Sequence, residues 1–309
     1  MTIFSNDHQD FDDLEFRLKT ILPEPYQENC DNVLPLLMGS AGLKYGTDGK
    51  VAWDQIWGSF CHLAMAGGPP HKGSLLEPAR AEEIDIEIER YWEVVNEICR
   101  GISMVTGLRT EPSPSRGWVR VHCTSAAMAG WLARAIVMEN VSALFNDRSL
   151  DLPAGPHFRI EKQIKNVVTV IAKTCHYWLD HTSPKQHQAV ASLFATMESE
   201  SPLVQVAVFD QTFDLDRQKS LSLKMAASVL KSTGLCSSDQ PYEGWLGLSF
   251  GDVRTAIWMM RVLVVCNTVA RREGTVVFVP VNPASDPKGE TVVQTVVRAH
   301  SFAIAKKIL

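Results

Sequence analysis

The chain is 309 residues long, 45% hydrophobic and 21% charged, a composition that fits a folded protein of two or three structural units and excludes a disordered, low-complexity chain. A formal net charge of −5 and a pI near 6.0 exclude the concentrated basic face that nucleic acid or an anionic membrane requires, leaving a small molecule or another protein as partner. The seven cysteines, at 30, 61, 99, 123, 175, 236 and 266, are odd in number and widely spaced, which suits reduced thiols in a cytoplasm rather than a disulfide framework.

The first ten residues carry no basic region and no apolar run, so no secretory signal is expected. Phe11, Leu14, Leu18 and Ile21 predict an amphipathic helix over 11–22, stopped by Pro23 and Pro25. An extended piece over 43–51 turns at Gly46 to Gly49. Trp53, Ile56, Trp57 and Phe60 then predict a helix to about residue 66, closed by Gly67-Gly68 and Pro69-Pro70.

From 79 to 105, Ile84, Ile88, Tyr91, Val95, Ile98 and Ile102 keep the period of one long helix with glutamates on its wet side, ending at Gly107. A strand over 118–123, a Ser125-capped helix to Asn140, a hairpin over 143–153 and a helix over 160–179 follow. A helix over 184–197, a polar break at 198–201 and an apolar run over 204–209 that reads as an extra strand lead on. The series then returns: helix 215–231, strand 245–250, helix 252–267, a hairpin turning at Glu273-Gly274, and a last helix over 289–307. The most apolar run, 256–265, is too short to span a bilayer and contains Arg261.

That return is also a return of residues. Thr106-Gly107-Leu108 aligns without gaps on Thr233-Gly234-Leu235, at an offset of 244 − 117 = 127 set by Gly117-Trp118 and Gly244-Trp245. Trp131/Trp258, Arg134/Arg261, Val137/Val264, Asn140/Asn267 and Pro153/Pro280 fall in the same register. About twelve identities in roughly 48 positions indicate a duplicated supersecondary unit. The expected fold is α+β: two α-β-α-β-β-α repeats about a pseudo-twofold, their edges joined into one six-stranded, mainly antiparallel sheet. The expected organisation is an N-terminal extension over 1–78, a first repeat over 79–182, a connector over 183–214 and a second repeat over 215–309.

Duplication separates scaffold from chemistry. Shared polar residues such as Arg134 and Asn140 are expected to brace the fold, with a symmetric anion clamp at Arg134 as the alternative. His122, Cys123, Glu139, Asp151, His157, Lys173 and His176 stand in the first copy alone. Cys123 reads as a packed thiol, because its neighbour His122 points to the opposite face of the strand. Asn166, Thr169, Lys173, Tyr177 and Asp180, with His176 at the edge, form a helix stripe that is either solvated or placed for proton transfer. The Cys61, His62, His71 set and the Cys175, His176, His181 set lack a zinc spacing, so no metal is expected.

The leading site candidate is the loop over 66–78. Gly67 and Gly68 let backbone amides approach a ligand, Pro69 and Pro70 stiffen the segment, and His71, Lys72 and Glu77 supply a base, a cation and a carboxylate. Trp53 and Trp57 would wall the pocket and Arg134 would add a cation, with Lys173 and His176 in reserve. The expected function is that of a cytoplasmic enzyme acting by acid/base or imine chemistry on a small polar or anionic metabolite, without a redox cofactor. The competing expectation is a non-catalytic binding module or homodimeric assembly that docks a partner through residues 67–78.

Overall fold

The computed structural model describes residues 7–28, 42–55, 74–207, 214–240 and 242–309. The chain is mixed α/β and divides into two compact units, residues 35–181 and residues 1–34 with 182–309. Each holds a small antiparallel sheet. Among the described residues no helix is long and apolar enough to cross a membrane.

In the 35–181 unit the long helix expected over 79–105 is two helices, α2 (Ala81–Ile86) and α3 (Ile88–Thr106). Glu87, at φ −128° and ψ 50°, leaves the helical region between them. Glu83 and Glu87 are like charges one turn apart, which weakens a helix there. The Glu83 carboxylate instead accepts the Arg80 backbone N–H at 2.9 Å and starts α2.

Beyond α3 lie β1 (Thr110–Pro112), β2 (Trp118–His122), α4 (Ala126–Met138), β3 (Leu144–Asn146), β4 (Ser149–Pro153) and α5 (Lys165–Asp180). The sheet order is β1-β2-β4-β3, with Trp118 opposite Pro153 and His122 opposite Ser149. Val119, Val121, Leu150 and Leu152 bury its inner face completely. Its outer face is polar: Arg120 grips the directly opposed Asp151 through two bonds of 2.8 and 2.7 Å, and His122 meets Glu111 at 2.8 Å. Two of the residues singled out in the sequence, His122 and Asp151, are thus placed on this outer face in cross-strand pairs.

Helix α4 is apolar on nearly every side and lies inside, as its sequence requires. Ser125 caps it, accepting the Met128 N–H at 3.1 Å. Gly117, which leads into β2, has φ +85°, and a Cβ there would stand 2.6 Å from the Ala79 carbonyl oxygen, so the turn admits only glycine.

The other unit contains α1 (Asp7–Ile21), α6 (Pro184–Glu200), α7 (Leu215–Thr233), β5 (Trp245–Ser249), α8 (Val253–Val265), β6 (Arg271–Glu273), β7 (Val276–Pro280) and α9 (Glu290–Ala305). Leu14, Leu18 and Ile21 are buried, and Arg17 of α1 holds Glu200 of α6 through bonds of 2.8 and 2.6 Å. That clamp carries α6 through residues 198–200, where the polar composition predicts a break. Of the expected strand over 204–209 the described part makes a single parallel bridge, Val204 to Thr268.

The expected six-stranded sheet does not form among the described residues: the sheets β1-β2-β4-β3 and β5-β7-β6 are separate. The free edge of β2 is covered by β1, which ends at Pro112, a residue without an N–H to extend the ladder. On β5 the same edge is met by Ser237, bridged to Leu248.

The two units keep one spacing through most of these elements. β5 begins at 245 − 118 = 127 residues after β2, and α3/α7, α4/α8, β3/β6 and β4/β7 are offset equally. Trp245 lies opposite Pro280 as Trp118 does opposite Pro153. Asn140 and Asn267, following α4 and α8, take left-handed φ values of 58° and 60°. The spacing changes at the last helix, where 290 − 165 = 125.

Candidate functional site

A pocket of about 790 Å³ opens between the segment Ser74–Arg80 and the start of α5. Backbone bonds fix the first wall: Leu76 N–H donates to the Asn140 carbonyl (2.8 Å), Ser142 N–H to the Leu76 carbonyl (2.9 Å), and Ala79 N–H to the Ala154 carbonyl (3.0 Å). The second wall is a π-helical turn, Ile160–Ile164, that opens directly into α5. Such wide turns re-aim the side chains that follow and recur at functional sites.

Cations and carboxylates share the lining: Arg80, Lys162 and Lys165, with Glu77, Glu83, Glu161 and His157. Glu83 is engaged in the α2 cap, and the Gln163 side-chain oxygen accepts the Arg159 N–H at 3.1 Å. His157 stands edge-on to Phe158 with centroids 4.9 Å apart. A Cβ at Gly155 would lie 2.9 Å from its Cε1, so the glycine makes room for the ring. Lys165 is 7% exposed, and burial pushes its ammonium below the ordinary 10.5.

Of the residues proposed from sequence, Glu77 lines this pocket. Trp57, Gly67, Gly68, His71 and Lys72 lie outside the described residues. Trp53 is buried, its indole N–H donating to Glu97 at 2.8 Å. Arg134 is buried in α4, with Nη1 donating to the Gly130 carbonyl at 2.9 Å and its guanidinium over Phe145. Neither is part of the pocket lining.

Lys173 and His176 lie farther along α5. The stripe that carries them is largely buried rather than solvated: Thr169, Lys173 and Tyr177 are 5%, 5% and 7% exposed. Lys173 Nζ stands 3.4 Å from Glu139 Oε1 and faces the Tyr177 ring. Burial lowers its pKa, while the Glu139 charge opposes that shift. His176 Nδ1 is 2.7 Å from Asp180 Oδ2, and its Nε2 is 3.2 Å from His181 Nε2. Cys123 is buried in apolar surroundings that push its thiol up to about 12, and Cys175 is pushed up further, so both are poor thiolates.

Sequence reasoning missed Lys165, Lys162 and Arg80. The signal for Lys165 lay in spacing: Lys165, Thr169, Lys173 and Tyr177 recur every four residues on one face of an otherwise apolar helix. His157 already stood among the residues confined to the first copy.

Among the described residues no group of three or more His, Cys, Asp or Glu is placed to hold a metal ion. No protein-family model matches the chain, and no curated protein or solved structure is significantly similar to it.

Proposed function

We propose that the 35–181 unit is an enzyme that binds a small polar or anionic metabolite in the pocket between Ser74–Arg80 and the π-turn, and acts on it by acid/base or imine chemistry. The observation that carries this reading is the meeting of a buried lysine, Lys165, and a carboxylate, Glu77, on the walls of one concave pocket. Arg80 and Lys162 supply further positive charge for an anionic group. Lys165, with its pKa lowered, has a larger neutral fraction near physiological pH than a solvated lysine. A neutral amine can attack a carbonyl carbon, water leaving as the imine forms, and Glu77 or His157 can move the protons.

The test is a thermal-shift screen of the full chain against phosphorylated and carboxylated metabolites, with Lys165→Met and Glu77→Gln alongside. A ligand at 100 times its Kd stabilises by about 2.7 kcal/mol. The expected result is a shift in the wild type that Lys165→Met abolishes. For carbonyl ligands, borohydride should fix a mass adduct on the peptide containing Lys165. If no ligand of either class shifts the wild type, or if both variants respond as it does, the reading fails.

The duplication belongs to the same proposal. Equal offsets, equal strand registers and paired left-handed asparagines support descent of the two units from one template, related by a pseudo-twofold, with the reacting groups in the first copy alone. The assembly reading has one observation in its favour. Leu223 and Leu230 lie seven residues apart on α7 and are 73% and 50% exposed, an apolar stripe suited to a second copy of the chain. Sedimentation of wild type and Leu223→Lys separates the two: a dimer lost in the variant supports assembly, and a monomer in both removes it.

A further inference from the structure

The last turn of α5 gathers a second set of titratable groups outside the pocket: His176, Asp180 and the C-cap residue His181. A carboxylate only accepts hydrogen bonds, so Asp180, 2.7 Å from His176 Nδ1, fixes the proton of the neutral ring there and leaves a lone pair on Nε2. That Nε2 faces His181 Nε2 at 3.2 Å, with the two rings inclined at 77°. A tetrahedral divalent ion held by imidazole nitrogens at about 2.0–2.1 Å keeps two of them roughly 3.3 Å apart. The pair therefore has the spacing one ion needs before any ion arrives.

Two further observations point to a cation. Asp180 on the far nitrogen of His176 is the outer-shell carboxylate that orients metal-bound histidines and raises their basicity. The cluster also sits at the C-terminal end of a 16-residue helix, where the backbone carbonyls present partial negative charge. The His176 side chain is 18% exposed, so solvent reaches part of it. The last turn of α9 carries Phe302, Ala303, Ile304 and Ala305, so a helix in this role does not need imidazoles at its end.

We propose that His176 and His181 form a two-imidazole site for a single divalent transition-metal ion of the zinc, nickel or copper class, with Asp180 as outer-shell partner. His181 carries its proton on Nδ1 when both Nε2 atoms bind the ion. The site is independent of the pocket at Ser74–Arg80.

The test titrates zinc, nickel and copper chlorides separately into the full chain by calorimetry, and follows copper by electron paramagnetic resonance. One equivalent should bind, with hyperfine coupling from two nitrogens. His176→Ala and His181→Ala should each weaken binding about 10-fold or more and remove one nitrogen from the spectrum; Asp180→Asn should weaken it about 10–100-fold. His300→Asn on α9 should change nothing. Circular dichroism checks each variant, and His181→Gln at the helix end replaces any that misfolds. Absence of stoichiometric binding, or binding unchanged in both histidine variants, would mean that the pair is only a hydrogen bond.

Discussion

The helices that follow the hairpin in the two units, α5 and α9, solve the same packing problem with different chemistry. α9 begins beyond Asp286, whose carboxylate accepts the Val292 N–H at 3.0 Å, and closes its unit with Val292, Val296, Ala299 and Ala303, all essentially inaccessible. α5 begins from a π-turn and buries Lys165, Thr169, Lys173 and Thr174 as well as its apolar side. Burying an ammonium group carries a desolvation cost that valine does not. α9 makes its closure with apolar residues, whereas α5 buries Lys165 and Lys173 in doing so.

The largest test of the matched part is a pair of core truncations at the same register. Ile136 in α4 and Leu263 in α8 are both fully buried, and each cut to alanine should cost about 2–5 kcal/mol in urea unfolding. A loss confined to one of the pair would break the equivalence of α4 and α8. Next in size is Gly117→Ala: a left-handed backbone costs a side chain about 1–2 kcal/mol, and the Ala79 carbonyl stands where the methyl would go. Gly244→Ala, at φ +80°, should show the conformational part of that loss.

The caps of the same two helices sharpen the comparison. Ser125→Ala and Asp252→Ala should each cost about 1 kcal/mol near neutral pH, read as a fall in Tm. Hydrogen bonds from the Thr255 backbone and side chain hold the Asp252 pKa below 3.8. Its stabilisation is therefore present above pH 3.8 and disappears as pH falls through the lowered value, whereas the Ser125 cap persists in acid. The smallest effect concerns Lys165. Because folding lowers its pKa, the cost of burying the charge is complete at pH values below the folded pKa and fades as pH rises toward 10.5. Lys165→Met should flatten that alkaline rise in stability; an unchanged slope would show that Lys165 is solvated.

Most elements were legible in the chain because their signals are local. Ser125 before an all-apolar run read directly as a cap, the hairpin turns were placed to within a residue, at Asp147 and Gly274, and the 127-residue echo of Gly117-Trp118 at 244–245 matches the equal spacing of the strands and helices. The break at Glu87 was less visible, since the apolar period runs through it and only like-charge repulsion marks it. The candidate site was harder. Glu77 was found because it lies beside a glycine- and proline-rich loop, but Lys165 sits beside Ile164 in an apolar helix and looks like a solvated residue until its face is seen to be covered.

The sequence by itself determined most of the elements and their order, because hydrophobic period, turn residues and helix termini act over a few residues along the chain. Only the tertiary structure decided that the described strands pair as two sheets rather than one, that much of the polar face of α5 is buried, and that Glu77 and Lys165 line one pocket. Those depend on which groups distant in sequence exclude water from one another, and neither spacing nor composition encodes that exclusion.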